Sequence, residues 1–226
     1  MNKFNPLFVV LLALFIALPA SAQVKLGVIG GANLANLNGK DVDGEKIDFS
    51  SRTAFGVGGV LDVGLSENVS LRFEPMYLQK GTEFTDTDPD LGTATFAFKA
   101  GYLEVPALLK IALGTSSTRP YLMVGPSIGV NLSSKLKFSA SGISAELDAK
   151  EITKSTDFGL AFGAGLSFPV STSSIFVEGR YNLGLLDIAK EGTLKFMGED
   201  IVSGDAEVKT RGLQIMAGIA FPLGGK

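Results

Sequence analysis

Six ionisable side chains lie in three segments whose other residues are mostly apolar. In each segment the two charged residues are separated by an even number of positions, so an extended chain turns both to the same face. Charges grouped in this way can serve as a proton or ion path, or as a structural network of ion pairs. Because three are positive and three are negative, whereas an ion-selective path usually carries one sign, we expect the structural network. The six are Arg72, Glu74, Glu104, Lys110, Glu178 and Arg180.

A second candidate is the acidic run Asp86-Thr87-Asp88-Pro89-Asp90. Alternating carboxylates can converge on a hard cation, so Asp86, Asp88 and Asp90 are candidate ligands of a weak surface calcium site. The run departs from a calcium loop further along, because Leu91 takes the place of the turn glycine and Ala97 that of the closing glutamate. A solvated loop is the alternative, and it is the one we favour.

The residues that are missing exclude most catalytic chemistry. The chain has no His and no Cys, so a Ser-His-Asp or Cys-His nucleophile cannot be assembled, nor a His or thiolate site for zinc, copper or haem. Ser127 lies in a Gly-x-Ser-x-Gly pattern, but the nucleophile elbow also needs a His partner and a strand-to-helix turn. We therefore expect a protein that is not an enzyme and has no cofactor. A net charge of −3 gives no support for nucleic-acid binding.

The first 22 residues have the pattern of a cleaved export signal. Lys3 supplies the positive charge, residues 7–18 are apolar throughout, and small residues precede Gln23. The apolar run is too short to cross a membrane as a helix. The sequence therefore predicts a mature chain that begins at Gln23 and forms one domain over residues 23–226.

Eight segments of the mature chain alternate apolar residues with small or charged ones, as strands do. Their apolar faces suit lipid, and their Gly- and Ala-rich opposite faces suit a narrow interior better than a surface in water. We predict an all-β fold, an eight-stranded antiparallel up-and-down transmembrane β-barrel; a soluble barrel with an apolar interior is the alternative. The segments are residues 24–36, 52–64, 69–77, 103–111, 119–132, 158–168, 175–185 and 207–221.

The connections between these segments alternate between short and long. Three short turns, at residues 66–68, 114–118 and 169–174, should face the periplasm, and the long polar loops should face outside. The long loops are predicted at residues 37–51, 83–95, 133–152 and 189–206. The chain has no Trp, so any interfacial aromatic girdle would depend on nearby Phe residues and on Tyr77, Tyr102, Tyr121 and Tyr181.

In such a barrel the third and seventh strands lie opposite each other. Arg72 and Glu74 on the third strand would then meet Glu178 and Arg180 on the seventh across the interior.

Several blocks of the chain resemble the PorT-like outer-membrane β-barrel family of Bacteroidota-type bacteria. They span the mature chain in order, and the resemblance implies a small outer-membrane barrel, with one founding member linked to protein secretion. It does not single out that role for this chain. The blocks are Glu74-Pro75-Met76-Tyr77-Leu78-Gln79-Lys80-Gly81, residues 102–110, residues 119–126, residues 157–165 and residues 178–185.

Together these features predict an outer-membrane barrel with a filled lumen that acts through its external loops or within an envelope or secretion assembly. A small channel and a membrane-embedded lipid-modifying enzyme are the alternatives. The expected partners are outer-membrane lipid, the barrel-assembly machinery during biogenesis, and an envelope protein that the sequence does not identify.

Overall fold

The computed structural model describes most of the chain after the predicted signal, which itself lies outside the described residues. The described ranges are residues 23–40, 45–47, 49–88, 92–114, 117–140, 143–190, 192–196, 199–203 and 207–223. No helix in these ranges is long and apolar enough to cross a membrane.

Strands account for nearly all of the regular structure. They are β1 Val24–Lys40, β2 Lys46–Ile47, β3 Arg52–Gly64, β4 Val69–Phe73, β5 Met76–Asp88, β6 Gly92–Ala112, β7 Arg119–Ala140, β8 Ile143–Asp148, β9 Thr156–Val170, β10 Ser173–Gly184, β11 Gly192–Phe196, β12 Glu199–Ser203 and β13 Glu207–Leu223, with a 3-10 turn at Lys150–Ile152.

The main sheet closes on itself into a barrel. Around the ring, neighbouring strands pair antiparallel in the order β1, β3, β4–β5, β6, β7, β9, β10 and β13, and β13 pairs back with β1. Outside the ring, β2 pairs with β1, β8 with β7, and β11 with β12. β4 and β5 occupy one position in the ring, because both lie between β3 and β6. The ring therefore passes through eight strand positions, and the predicted fold class is confirmed.

Pro75 explains why the third strand is divided into two. A proline has no N–H to donate to a neighbouring strand, so it interrupts the ladder. Its carbonyl oxygen still accepts a hydrogen bond of 2.9 Å from the N–H of Gly59, and the N–H of Glu74 donates to Pro106. The break is local, and Arg72, Glu74 and Met76 all keep their side chains buried.

The two faces of the strands have opposite character, as the alternation predicts. Apolar side chains point outward and are exposed: Val28 is 59% exposed, Leu122 52% and Phe162 46%. In a soluble barrel these side chains would fill the interior. Their outward direction excludes the soluble alternative and gives lipid an apolar surface to cover.

Two corrections concern the predicted loops and girdle. Residues 83–95 and 133–152 were expected to be loops, but strand pairing continues through residues 83–88 and 92–95 and through residues 133–140 and 143–148, with Thr85 opposite Thr95 and Phe138 opposite Ala145. Polar residues at alternate positions allow this, because hydroxyl groups such as those of Thr85 and Thr95, 3.2 Å apart, bond across the strands. Tyr102 and Tyr121 were expected at the membrane interface, but both lie inside the barrel.

Asp187 ties the start of β13 to the segment that follows β10. One carboxylate oxygen accepts hydrogen bonds from the N–H groups of Ala189 and Val208, and the other accepts one from Lys154 at 2.6 Å. Although partial burial opposes it, these bonds hold the pKa of Asp187 below its usual range.

Candidate functional site: the ion-pair network of the lumen

Four buried side chains from opposite sides of the barrel form an ion-pair quartet, which we define as Arg72, Glu74, Glu178 and Arg180. Nη1 of Arg72 lies 3.0 Å from Oε2 of Glu178 and 3.6 Å from Oε1 of Glu74. Arg180 pairs closely with Glu74 and lies 3.7 Å from Glu178. Each guanidinium therefore contacts both carboxylates, and all four side chains are at most 1% exposed.

The position of the strands explains why the quartet spans the lumen. β4–β5 is third in the ring and β10 is seventh, so they face each other, as the sequence predicts. The strand beside β10 supplies space for the large side chains. A Cβ on Gly163 would lie 2.6 Å from Cβ of Arg180, and one on Gly165 would lie 2.4 Å from the ring of Tyr121. The Gly-rich face of β9 is therefore what makes room for the network.

The network continues toward the short turns through Asp62. Its Oδ2 accepts from Arg72 Nη2 at 2.8 Å and from Lys110 Nζ at 3.1 Å. Tyr121 closes this part of the interior, since its hydroxyl donates to Glu178 Oε2 at 2.7 Å and its ring centroid lies 4.4 Å from Lys110 Nζ. Aromatic faces thus offset part of the cost of burying these cations.

A second cluster, centred on Lys80, lies toward the end of the barrel that is opposite the short turns. Its Nζ lies 2.5 Å from Glu104 Oε2 and 2.9 Å from Asp157 Oδ2. Thr210 donates to Asp157 at 2.7 Å, and Asn182 donates to Glu104 at 3.0 Å. One ammonium therefore pairs with two carboxylates, and each carboxylate also accepts a hydrogen bond from a neutral donor.

The structure places all six predicted charged residues on the interior side, and it adds three that sequence reasoning missed. Five of the six are at most 1% exposed, and the side chain of Lys110 is 14% exposed. The missed residues are Asp62, Lys80 and Asp157. Extending the same alternation along β3 and β5 would have found Asp62 and Lys80. Asp157 is second in its strand, where alternation gives little signal.

Apolar side chains fill the space between the charged groups. Met76, Leu78, Leu108, Phe176 and Met216 are each at most 1% exposed and belong to one buried cluster with Tyr121. Phe176 also stacks on the quartet, since the guanidinium carbon of Arg72 lies 4.6 Å from its ring centroid. The lumen is therefore a packed core with ion pairs inside it.

The remaining candidates have no catalytic or metal-binding geometry among the described residues. Ser127 lies in the middle of β7, not at a strand-to-helix turn. Asp86 and Asp88 lie in the extended strand β5, and Asp90 lies outside the described residues. No group of three or more acidic side chains in the described ranges could hold a metal ion. The calcium site therefore stays a prediction.

A closed ring of eight strands with an apolar exterior and a packed, ion-paired interior is the architecture of a transmembrane β-barrel. The chain belongs to the family described as the outer membrane protein beta-barrel domain, whose model matches residues 19–190. This places the protein in the outer membrane. A comparison with curated proteins gave no match.

Several solved structures are similar to the chain at low identity. Neisserial surface protein A is 15% identical with a TM-score of 0.44, covering 90% of this chain and 99% of its own. OprG from Pseudomonas aeruginosa is 13% identical with a TM-score of 0.48, covering 89% and 96%. The outer membrane protease OmpT from Escherichia coli is 11% identical with a TM-score of 0.36, covering 89% and 96%.

Proposed function

We propose that this protein is a non-enzymatic outer-membrane barrel with a closed lumen, which acts through the part of its sheet that extends beyond the membrane. The observation that supports a closed lumen is the ion-pair quartet, which spans the interior from β4–β5 to β10. Eight strands leave an interior just wide enough for side chains to fill. A channel would need these side chains to move apart and leave buried charges unpaired, which is costly.

The buried charges also argue against the lipid-modifying alternative. An acid-base pair in an enzyme has to reach the substrate, whereas the carboxylates of the quartet are fully buried and paired with arginines. Lipid on the outer surface meets mainly apolar side chains such as Leu103 and Phe162, which offer no proton transfer. An unchanged lipid profile after deletion of the gene is the expected result.

Beyond the barrel, β5 to β8 continue as a four-stranded sheet that we call the extension sheet, comprising residues 83–88, 92–99, 133–140 and 143–148. One of its faces carries a row of apolar rings, since Phe84 lies opposite Phe96 and Phe96 lies opposite Phe138, with Asp86 and Asp88 at the end of the same face. These three are 46 to 56% exposed. The other face carries polar pairs such as Lys135 with Glu146.

An exposed apolar face beside an open sheet edge is a combination that favours protein contact. β8 pairs only with β7 among the described residues, so its second edge has unpaired backbone groups. With the short turns in the periplasm, the extension sheet faces outside the cell. We assign contact with an envelope or external protein to this sheet. The PorT-like sequence blocks support placing the chain with barrels of that kind, and the N-terminal pattern supports a mature chain that starts at Gln23.

The closed lumen can be tested with single cysteines, because the native chain has none. Ser127→Cys places a thiol inside the barrel, where the native side chain is buried, and Thr87→Cys places one on the extension sheet. A small charged thiol reagent should modify Thr87→Cys rapidly and leave Ser127→Cys unmodified in the folded protein. Equal rates at both positions would contradict a closed lumen.

The role of the extension sheet can be tested by photo-crosslinking in intact cells. A crosslinker at Phe138 should give a discrete protein adduct that disappears in a variant with Phe84 and Phe96 changed to serine. A crosslinker at the lipid-facing Leu122 is the matched control and should give no such adduct. The same adducts at both positions would refute a specific contact by the extension sheet.

A further inference from the structure

A cavity of about 140 Å³ lies at the end of the barrel that carries the short turns, and we call it the vestibule. Its walls are the ends of β1, β3, β4, β6, β7 and β9 together with the turn at residues 66–68. Its inner wall includes Asp62 and Tyr121, where the lumen network ends. Exposed turn residues such as Asn68 form its outer rim. The vestibule is thus bounded by the packed core on one side and opens toward the periplasm.

Three cations, Lys25, Lys110 and Arg119, line this one cavity. Two acidic residues line it as well. Asp62 already accepts from both Arg72 and Lys110, and Glu67 contacts Arg119 through its main-chain oxygen. Neither Lys25 nor Arg119 forms an ion pair within the described part of the chain. Among the described residues Arg119 donates one hydrogen bond, to the main-chain oxygen of Glu67 at 3.5 Å. Three cations therefore face two carboxylates, one of which is shared with Arg72, and the vestibule has an excess of positive charge.

Uncompensated cations that share a partly enclosed space are costly unless an anion joins them. Phosphate suits this arrangement, because a guanidinium and two ammonium groups are the side chains that bind it in proteins. Side chains of Ser66, Asn68 and Ser70 add neutral donors around the same cavity. The volume holds several water-sized groups, which is enough for the phosphate oxygens.

We propose that the vestibule binds a phosphate group from the periplasmic side. Two sources could supply a phosphate group on the periplasmic side. One is free inorganic phosphate, and the other is the headgroup of a phospholipid in the inner leaflet of the outer membrane. Lys25 and Arg119 are the residues that determine affinity, since their charges have no other partner. Lys110 lies deeper in the cavity and adds positive electrostatic potential there while it stays bonded to Asp62.

The test is a titration of the refolded, full-length mature chain in non-ionic detergent, followed by amide NMR at constant ionic strength. Inorganic phosphate should produce saturable shifts at Gly64, Ser70 and Ser167. The variant with Lys25→Gln and Arg119→Gln should bind at least tenfold more weakly. Because neither residue has an ion-pair partner, this variant should fold, and its gel mobility before and after heating verifies that.

A matched control removes two cations from the other end of the molecule. Lys99→Gln combined with Lys137→Gln, both on the polar face of the extension sheet, should leave phosphate affinity unchanged. A parallel titration uses a short-chain phosphatidylglycerol below its micelle concentration. Tighter binding of this lipid than of inorganic phosphate identifies the headgroup as the source, and equal binding identifies free phosphate. Absence of saturable shifts with both probes, or a Lys25/Arg119 variant that binds as tightly as the parent, would overturn the proposal.

Discussion

Removal of Arg180 is the sharpest perturbation of the lumen, because its side chain is fully buried and contacts two buried carboxylates. In Arg180→Leu, Arg72 alone among the described guanidinium groups would contact Asp62, Glu74 and Glu178, at 2.8, 3.6 and 3.0 Å. Breaking one side of a buried pair typically costs about 3–5 kcal/mol. We expect the free energy of unfolding of Arg180→Leu to fall by that amount.

The second variant separates charge imbalance from lost packing. Adding Glu74→Leu to Arg180→Leu leaves Asp62 and Glu178 with the two cations Arg72 and Lys110, so this cluster is balanced again. We expect the double variant to be more stable than the sum of the single changes predicts, with an interaction energy of about 2–3 kcal/mol.

Urea unfolding in lipid vesicles, read by the heat-dependent gel shift of the folded barrel, gives both quantities. Lys135→Leu is the control, because its pair with Glu146 is half exposed and its loss should leave the midpoint unchanged. An Arg180→Leu variant as stable as its parent would refute the reasoning. Strict additivity of the two changes would also refute it.

Three further predictions concern packing, pH and topology. Gly163→Ala should lower the free energy of unfolding by about 1–3 kcal/mol, because its Cβ would lie 2.3 Å from a carbonyl oxygen of the neighbouring strand. A Cβ on Gly179 would meet nothing within 4 Å, so Gly179→Ala should be neutral in the same urea assay. Asp187→Asn should lower the urea midpoint at pH 7, because the ionised carboxylate is stabilised in the folded state. The difference from the parent should begin to shrink as the pH falls to about 4, the usual aspartate pKa, and should disappear only below the lowered folded-state pKa. A constant difference would contradict the ion contact. On whole cells an impermeant maleimide should label Thr87→Cys and leave Asn68→Cys protected, and the reverse pattern would invert the orientation.

The closure of the barrel and the direction of its faces could be predicted because both depend on a period of two. Alternation places Leu103 on one side and Glu104 on the other whatever the exact length of the strand. The prediction that β4–β5 faces β10 needed only the count of strands. The pairing of Arg72 with Glu178 follows from that count, because long charged side chains can reach across so narrow a ring.

The ends of the strands were less predictable, because polarity alone does not distinguish a loop from a hairpin in water. The run from Glu83 to Asp88 reads as a loop by composition, yet its threonines pair across to β6. Tyr102 and Tyr121 were misplaced for a related reason. A tyrosine at the edge of a membrane and one that covers a buried cation have the same local pattern, and only the three-dimensional position of Lys80 or Lys110 decides between them.

Single-channel recording in planar bilayers tests most directly whether the ion-pair network closes the lumen. The native protein, inserted at high salt, should show no steady conductance steps, because the quartet and the surrounding apolar side chains fill the interior. The Arg180→Leu variant should be leakier than the native protein if it inserts. Large, stable openings of the native protein would show that the interior is a water path and would contradict the account.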